Sequence, residues 1–361
     1  MIGRTFGLYL TRRFLRSIGL VFGVMFTLIY LIDFVELLRR ASDAQGSTTA
    51  FIAFLTLLRV PAVTEQVLPF AVLFGAMAAF LALSRKLELV VARAAGLSAW
   101  QFLLPPVLIV GLIGIFSVTI YNPVSALFKQ RADRYETRLF GKTGRDEADT
   151  SLWIRQKSAD GQAILRAERS SDNGTRLAAV TAFIYDKDGR FLERVEAARA
   201  KLLPGFWTLE DARVLRAGEE PSTHANYVLA SNLSPEQVTQ SFVAPDSVPF
   251  WDLPALRERT ELAGLDATGY RLRYQVLLAR PLLLVAMVLV AASFSLRFFR
   301  FGGISRMVAG GVIAGFVLYV TTKLVGDLGS AGLMSAAIAA WSPAIAGCML
   351  GTLALLHQED G

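Results

Sequence analysis

AWQFLLPPVLIVGLIGIFSVTIY, residues 99–121, carries no charged side chain. A bilayer has a hydrocarbon core ~30 Å thick, so a helix rising 1.5 Å per residue needs about 20 mostly apolar residues to cross it. Backbone polar groups find no water there, which makes helix the expected conformation. Working outward, Ser17–Leu38 and Pro61–Leu83 precede this stretch with the same character, and Pro69 is expected to kink the second of them. Tyr274–Leu296, Met307–Gly326 and Leu333–Leu356 follow after a polar middle. The expected fold is an α-helical polytopic membrane protein, with six transmembrane helices (3+3) around an inserted domain.

Composition agrees. Of 361 residues, 53% are hydrophobic and 19% charged, against about 45–50% and ~25% in soluble domains. The net charge of +7 sits largely at the ends of apolar runs, where basic residues set topology, so nucleic acid is not an expected partner. The single cysteine, Cys348, excludes an internal disulfide. The first apolar stretch runs into Asp33 and Glu36 without a small-residue cleavage site, unlike a cleavable signal.

Lysine and arginine set the expected orientation. Arg4, Arg12, Arg13 and Arg16 precede the first span; Arg85, Lys86 and Arg93 follow the second; Arg297, Arg300 and Arg306 follow the fourth. With six spans these segments fall on one side, the cytoplasm, together with both termini. The middle then lies on the other side. The expected division is 1–128 for spans one to three, 129–270 for the outer domain and its connecting helices, and 271–361 for spans four to six.

Within the middle, Ser151–Gln156, Gln162–Glu168, Leu177–Tyr185, Arg190–Ala197, Phe206–Leu209 and Arg213–Arg216 alternate as strands do, with Asp186–Gly189 as a hairpin turn. An all-β, sandwich or jelly-roll-like domain is expected. Ser247–Leu265 has an amphipathic helical pattern. Gly19/Gly23, Gly311/Gly315 and Gly347/Gly351 have the spacing that lets membrane helices approach closely, here favouring a further membrane subunit.

Catalytic chemistry is hard to find. Gly141-Lys142-Thr143 resembles the end of a phosphate-binding loop, but Glu136 stands where that loop needs glycine. His224 and His357 are far apart, and no metal-ligand spacing or serine triad emerges, so neither metal nor cofactor is expected in this chain. Asp33 and Glu36 leave a membrane-embedded enzyme open, although Arg40, four residues after Glu36, suits simple interfacial pairing.

SRKLELVVARAAGLS, residues 84–98, is more informative. Ser84 is a natural N-cap, Leu87, Val90, Val91, Ala94 and Ala95 form a stripe, Gly96 can close the helix, and Ser98 can cap the next. The expected helix, about 84–96, lies along the cytoplasmic surface. It is either an interfacial connector touching anionic lipid or a docking helix for a cytosolic motor, with Glu88 flanked by Arg85 and Arg93 in the contact.

LIDFVELLRR (31–40), the 84–98 segment, the Tyr270–Pro281 approach to the fourth span and RMVAGGVIAGFVLYV (306–320) occur in an order that resembles the LptF/LptG permeases over essentially the whole chain, with the first-span motif closer to the LptG branch. The resemblance implies a transmembrane permease subunit without enzymatic chemistry of its own. It implies an inner-membrane exporter passing lipopolysaccharide toward the outer membrane through periplasmic jelly rolls. Implied partners are an LptB-like ATPase dimer that uses the ATP, an LptF-like second permease and an LptC-like bridge protein. The helix containing Glu88 matches the family's coupling helix.

Arg39 and Arg40, at the outer end of the first span, and Arg131 and Arg134, one turn apart beyond the third, are candidate ligands for lipid A phosphates, which guanidinium groups bind in charge-assisted pairs. Snorkelling, or pairing with Asp43, Asp133 and Glu136, is the simpler alternative. Phe22, Phe26, Phe316 and Tyr319 are candidate lining for an acyl cavity. The permease of another lipid or lipoprotein exporter remains the competing transport class.

Overall fold

A computed structural model describes residues 4–41, 48–140, 152–158, 161–171, 174–216, 218–235, 244–262, 266–297 and 304–359. Contacts divide the chain into a membrane unit (1–135, 249–251, 271–361) and a sheet unit (136–248, 252–270).

The membrane unit begins with α1 (Arg4–Ala41), α2 (Thr49–Arg85) and the short α3 (Glu88–Ala94). The third span is one long rod: α4 (Ala99–Phe116), a π-turn (Ser117–Tyr121) and α5 (Asn122–Phe140). Among the described residues six helices are long and apolar enough to cross a membrane, as the hydrophobic pattern requires. They outrun the apolar stretches. α2 starts at Thr49 rather than near Pro61, because Thr48 caps it by accepting the Phe51 N–H.

The bundle's interior is made where α1, α2 and α4 meet. Phe14, Phe80 and Phe102 are fully buried there, with Phe14 edge-on to Phe80 at 4.8 Å. Glycines set the closest approaches. A Cβ on Gly75 would stand 2.6 Å from the Ile18 Cα, so α1 can lie this close to α2 only without that side chain.

The later spans are labelled α7 (Thr268–Arg297), α8 (Ile304–Ser330) and α9 (Ala336–Glu359), after α6 (Leu253–Leu262) of the sheet unit. Gly311 and Gly315 accommodate Met77 and Leu73 of α2, while Gly347 and Gly351 face Ala286 and Leu289 of α7. Two of the three glycine pairs are therefore used inside this chain rather than against another subunit. Gly19 and Gly23 have nothing within 4 Å of their missing Cβ positions. Among the described residues nothing covers the outward faces of α1 and α8, as Ile32 (68% exposed) and Phe316 (58%) illustrate.

The sheet unit holds six strands, β1 (Leu152–Ser158), β2 (Gly161–Ser171), β3 (Arg176–Tyr185), β4 (Phe191–Leu203), β5 (Phe206–Arg216) and β6 (Ser222–Ala230). All pair antiparallel in the order β1-β2-β3-β4-β5-β6. The all-β middle is thus found. Among the described residues its strands follow one another as a meander, without the Greek-key pairing of a jelly roll. The Asp186–Gly189 turn forms as its sequence demands. Gly189 has φ +80°, and the Asp186 carboxylate accepts the N–H groups of Asp188 and Arg190 at 2.9 and 2.8 Å.

Two departures have physical causes. The residues expected as two short strands, 206–209 and 213–216, are one strand. Asp211, with φ +54°, interrupts its pairing in line with Ala179 (φ +52°) without ending it. β6 was not expected, because the polar run STHANY shows no apolar alternation; it lies at the sheet's edge, where residues 222–226 are exposed.

One face of the sheet buries Leu165, Val195, Trp207 and Leu209. The Trp207 indole donates to Gln156 Oε1 at 3.1 Å, and Ser231 Oγ donates to the same oxygen at 2.6 Å. At the end of the same face Glu193, two residues before Val195, accepts from Tyr227 and from Arg216, the latter at 2.8 Å. Burial and that hydrogen bond push the Tyr227 phenol above its ordinary pKa. Among the described residues of the amphipathic segment at 247–265, the α-helix covers Leu253–Leu262, with Arg257 bonded to Glu261 at 2.8 Å.

Candidate functional site

Three clusters of charged side chains stand out in the membrane unit. At the first, the expected surface helix is shorter than its sequence suggests. Ser84 is not its N-cap; it is buried in the last turn of α2. The reversal is made by Leu87, with φ 59°, and α3 runs from Glu88 to Ala94 before Gly96 (φ +83°) closes it. Ser98 then caps α4 in a reciprocal box with Gln101. The buried face of α3 carries Leu89 and Ala92, while Leu87 and Val91, expected on an apolar stripe, are exposed.

Glu88 is held by α1. Tyr9 donates to its carboxylate at 2.9 Å, and Arg13 Nη1 at 3.2 Å while also donating to the Tyr9 hydroxyl. Arg85 is exposed. The side chains of Arg93 and Val90 lie outside the described residues, as do Asp43, Arg300 and Gly141–Thr143.

The second cluster lies at the far end of α1. Arg39 and Arg40 occupy its last turn, and Arg40 pairs with Glu36, as the four-residue spacing suggests. Arg131 and Arg134 on α5 belong to the same end of the unit, because Tyr135 meets Phe51 and Phe54 near the start of α2, with ring centroids 5.7 and 6.4 Å apart. Both arginines are exposed, and Arg134 Nε donates to the Gln130 carbonyl at 3.3 Å. Asp33, set beside Glu36 in the sequence, instead pairs with Arg59 of α2 at 3.3 Å.

The third cluster was not anticipated. Glu65 of α2, 2% exposed, accepts from Arg280 at 2.5 Å and Arg273 at 3.3 Å, both on α7. Asn122 donates to both its oxygens, at 2.9 and 3.1 Å, and Ser125 Oγ donates at 2.7 Å. Arg280 also reaches Ser117 Oγ at 3.5 Å, while Tyr121 OH lies 2.7 Å from Thr64 Oγ1. One carboxylate thus joins α2, the π-turn, α5 and α7, all inside helices that cross the membrane. Ionisable groups at such depth are expensive unless paired. The signal was legible as an acid in the second span and a base in the fourth, but each lies in a window whose average remains apolar.

An apolar groove of about 430 Å³ opens beside this cluster, lined by Ile18, Gly19 and Phe22 of α1, Leu68 of α2, and Ile113 and Phe116 of α4. Phe22 meets the Tyr121 ring at 6.2 Å, whereas Tyr319 of α8 packs on Phe70 at 4.8 Å. Among the described residues no group of three His, Cys, Asp or Glu side chains gathers as a metal site.

The chain is 25% identical over 332 residues to the lipopolysaccharide export system permease protein LptG of Escherichia coli K12, covering 89% of each protein. It is 23% identical over 330 residues to the LptG of Haemophilus influenzae, covering 86% of this chain and 87% of that one. The family described as lipopolysaccharide export system permease LptF/LptG matches residues 8–357. With six spanning helices, an inserted antiparallel sheet and a match from the first helix to the last, this chain belongs to the LptF/LptG family of lipopolysaccharide export permeases.

Proposed function

We propose that this chain is the LptG-type permease of an exporter that takes lipopolysaccharide from the inner membrane and passes it toward the outer membrane. Both termini are cytoplasmic, and residues 129–270 form the periplasmic part. An LptF-like permease completes the transmembrane pair, an LptB-like cytosolic ATPase dimer binds and hydrolyses the ATP, and an LptC-like protein receives the lipid. The observation that carries this reading is the separation of two charged ends along α1. Glu88 with Arg13 and Tyr9 stands at one, and Arg39 and Arg40 with Arg131 and Arg134 at the other. The uncovered faces of α1 and α8 support a membrane partner and an acyl cavity.

Motion enters at α3. A closing ATPase displaces this helix, and the Glu88–Arg13–Tyr9 contact carries the displacement into α1. The uncovered faces then narrow the cavity and move the acyl chains outward, while the four arginines hold the phosphates by charge-assisted bonds.

Two experiments test the two ends. Photocrosslinkers replacing Arg39, Arg40, Arg131 or Arg134 in the assembled complex should capture lipopolysaccharide; capture no greater than at other outward-facing positions rejects the phosphate site. Glu88→Lys should lose the ATPase on co-purification, whereas Arg13→Ala, which breaks only the brace inside the chain, should retain it. Wild-type amounts of ATPase on the Glu88→Lys complex would show that docking lies elsewhere.

A further inference from the structure

The third span is not a uniform helix. Between Ser117 and Tyr121 it widens into a π-turn, in which the Asn122 N–H reaches the Ser117 carbonyl five residues back. Pro123 explains why. In a regular helix its N–H would go to the Thr119 carbonyl four residues earlier, but proline has none and its ring would press on that oxygen. The widened turn relieves the contact, but proline still offers the Thr119 carbonyl no N–H four residues on.

That donor comes from elsewhere. The Trp251 indole N–H bonds to the Thr119 carbonyl at 3.1 Å, and the neighbouring Phe250 N–H bonds to Asn122 Oδ1 at 2.9 Å. Phe250 is itself fixed by stacking on Tyr274, with centroids 5.4 Å apart and planes at 9°. The other end of the Asn122 amide holds Glu65. Residues 249–251 belong to the membrane unit although the chain on both sides belongs to the sheet unit. A three-residue excursion thus supplies both groups the irregular turn needs.

A π-turn inserts one residue into the helical register, and one residue is about 100° of rotation. Everything beyond the turn is therefore rotated relative to the helix before it. On α5 this rotation puts Val124, Leu127, Arg131 and Arg134 on an exposed stripe and buries Ser125 and Ala132. In an uninterrupted helix of the same sequence each later residue would move on by one place, and Arg131 would stand where the buried Ala132 does.

We infer that Trp251 and Asn122 are positioning residues: by holding the π-turn they set the rotation of α5 and so present Arg131 and Arg134. The inference rests on the phosphate-binding reading only for what those arginines meet; their orientation is tested separately. The full chain in its complex, carrying Cys348→Ser to remove the only cysteine, receives single cysteines at 131, 132 or 134. Each is labelled with an impermeant maleimide. The parent should react at 131 and 134 and be protected at 132. Trp251→Phe combined with Pro123→Ala removes the outside donor and restores the helical one. It should then slow Arg131→Cys to about the parental rate of Ala132→Cys, while Ala132→Cys becomes reactive.

A merely structural role would raise reactivity at all three positions instead of exchanging 131 for 132, and that result overturns the inference. So does the parental pattern in the folded double variant. If the double variant does not accumulate in the membrane, Pro123→Ala alone, which restores the helical donor while keeping Trp251, decides. The exchanged pattern supports the inference; the parental pattern, or a single variant that also fails to accumulate, overturns it. Loss of lipid crosslinking at Arg131 and Arg134 with the labelling pattern intact would reject the phosphate site alone.

Discussion

Replacing Glu65 with alanine is expected to destabilise the membrane unit by about 3–5 kcal/mol, the cost of stranding buried charge when one partner of an ion pair is removed. Arg280 is 6% exposed and its guanidinium leans on this carboxylate, with Arg273 behind it. The thermal midpoint of the detergent-solubilised protein should fall by many degrees, and an unchanged midpoint would refute the account. Glu65→Gln keeps acceptor oxygen for Asn122 and Ser125 while losing the charge, and should fall between. Replacing Glu65 and Arg280 together with leucine should recover part of the loss, because a buried pair exchanged for apolar side chains is often near neutral.

Trp207→Ala carries the second large effect, about 3–5 kcal/mol from the lost side chain and the space it leaves. The ring is fully buried in the middle of the sheet core. Its removal also takes one of two donors from Gln156 Oε1, though Ser231 remains. Trp207→Phe should therefore cost less, since most of the ring volume survives and the oxygen stays bonded. Hydrogen exchange of β4 and β5 amides in the intact protein reads both. Protection equal to wild type in Trp207→Ala would mean that this side chain does not hold the sheet together.

The six crossings were legible because hydrophobic thickness is a property of consecutive residues and needs no partner. Their ends were not, since capping at Thr48 and the run of α5 past Tyr121 depend on what surrounds the helix rather than on apolar length. Leu87 shows another limit. Leucine rarely adopts positive φ, so nothing in the local sequence marked the reversal after α2, whereas Gly96 and Gly189 announced theirs. Asp186–Gly189 was readable for the same reason, and the edge strand β6 was not, because its exposed residues alternate nothing. The basic residues of both arginine pairs were visible by their place outside the spans. The Glu65 cluster joins residues up to 215 apart in sequence, and only the folded helices bring them together.

The strand order has a consequence for biosynthesis. Each strand of the sheet pairs with the one made just before it, so loop closure between neighbours is short and entropically cheap. As the segment is synthesised, every emerging strand finds its template already in place. Assembly can keep pace with the ribosome without waiting for the last three helices to be synthesised.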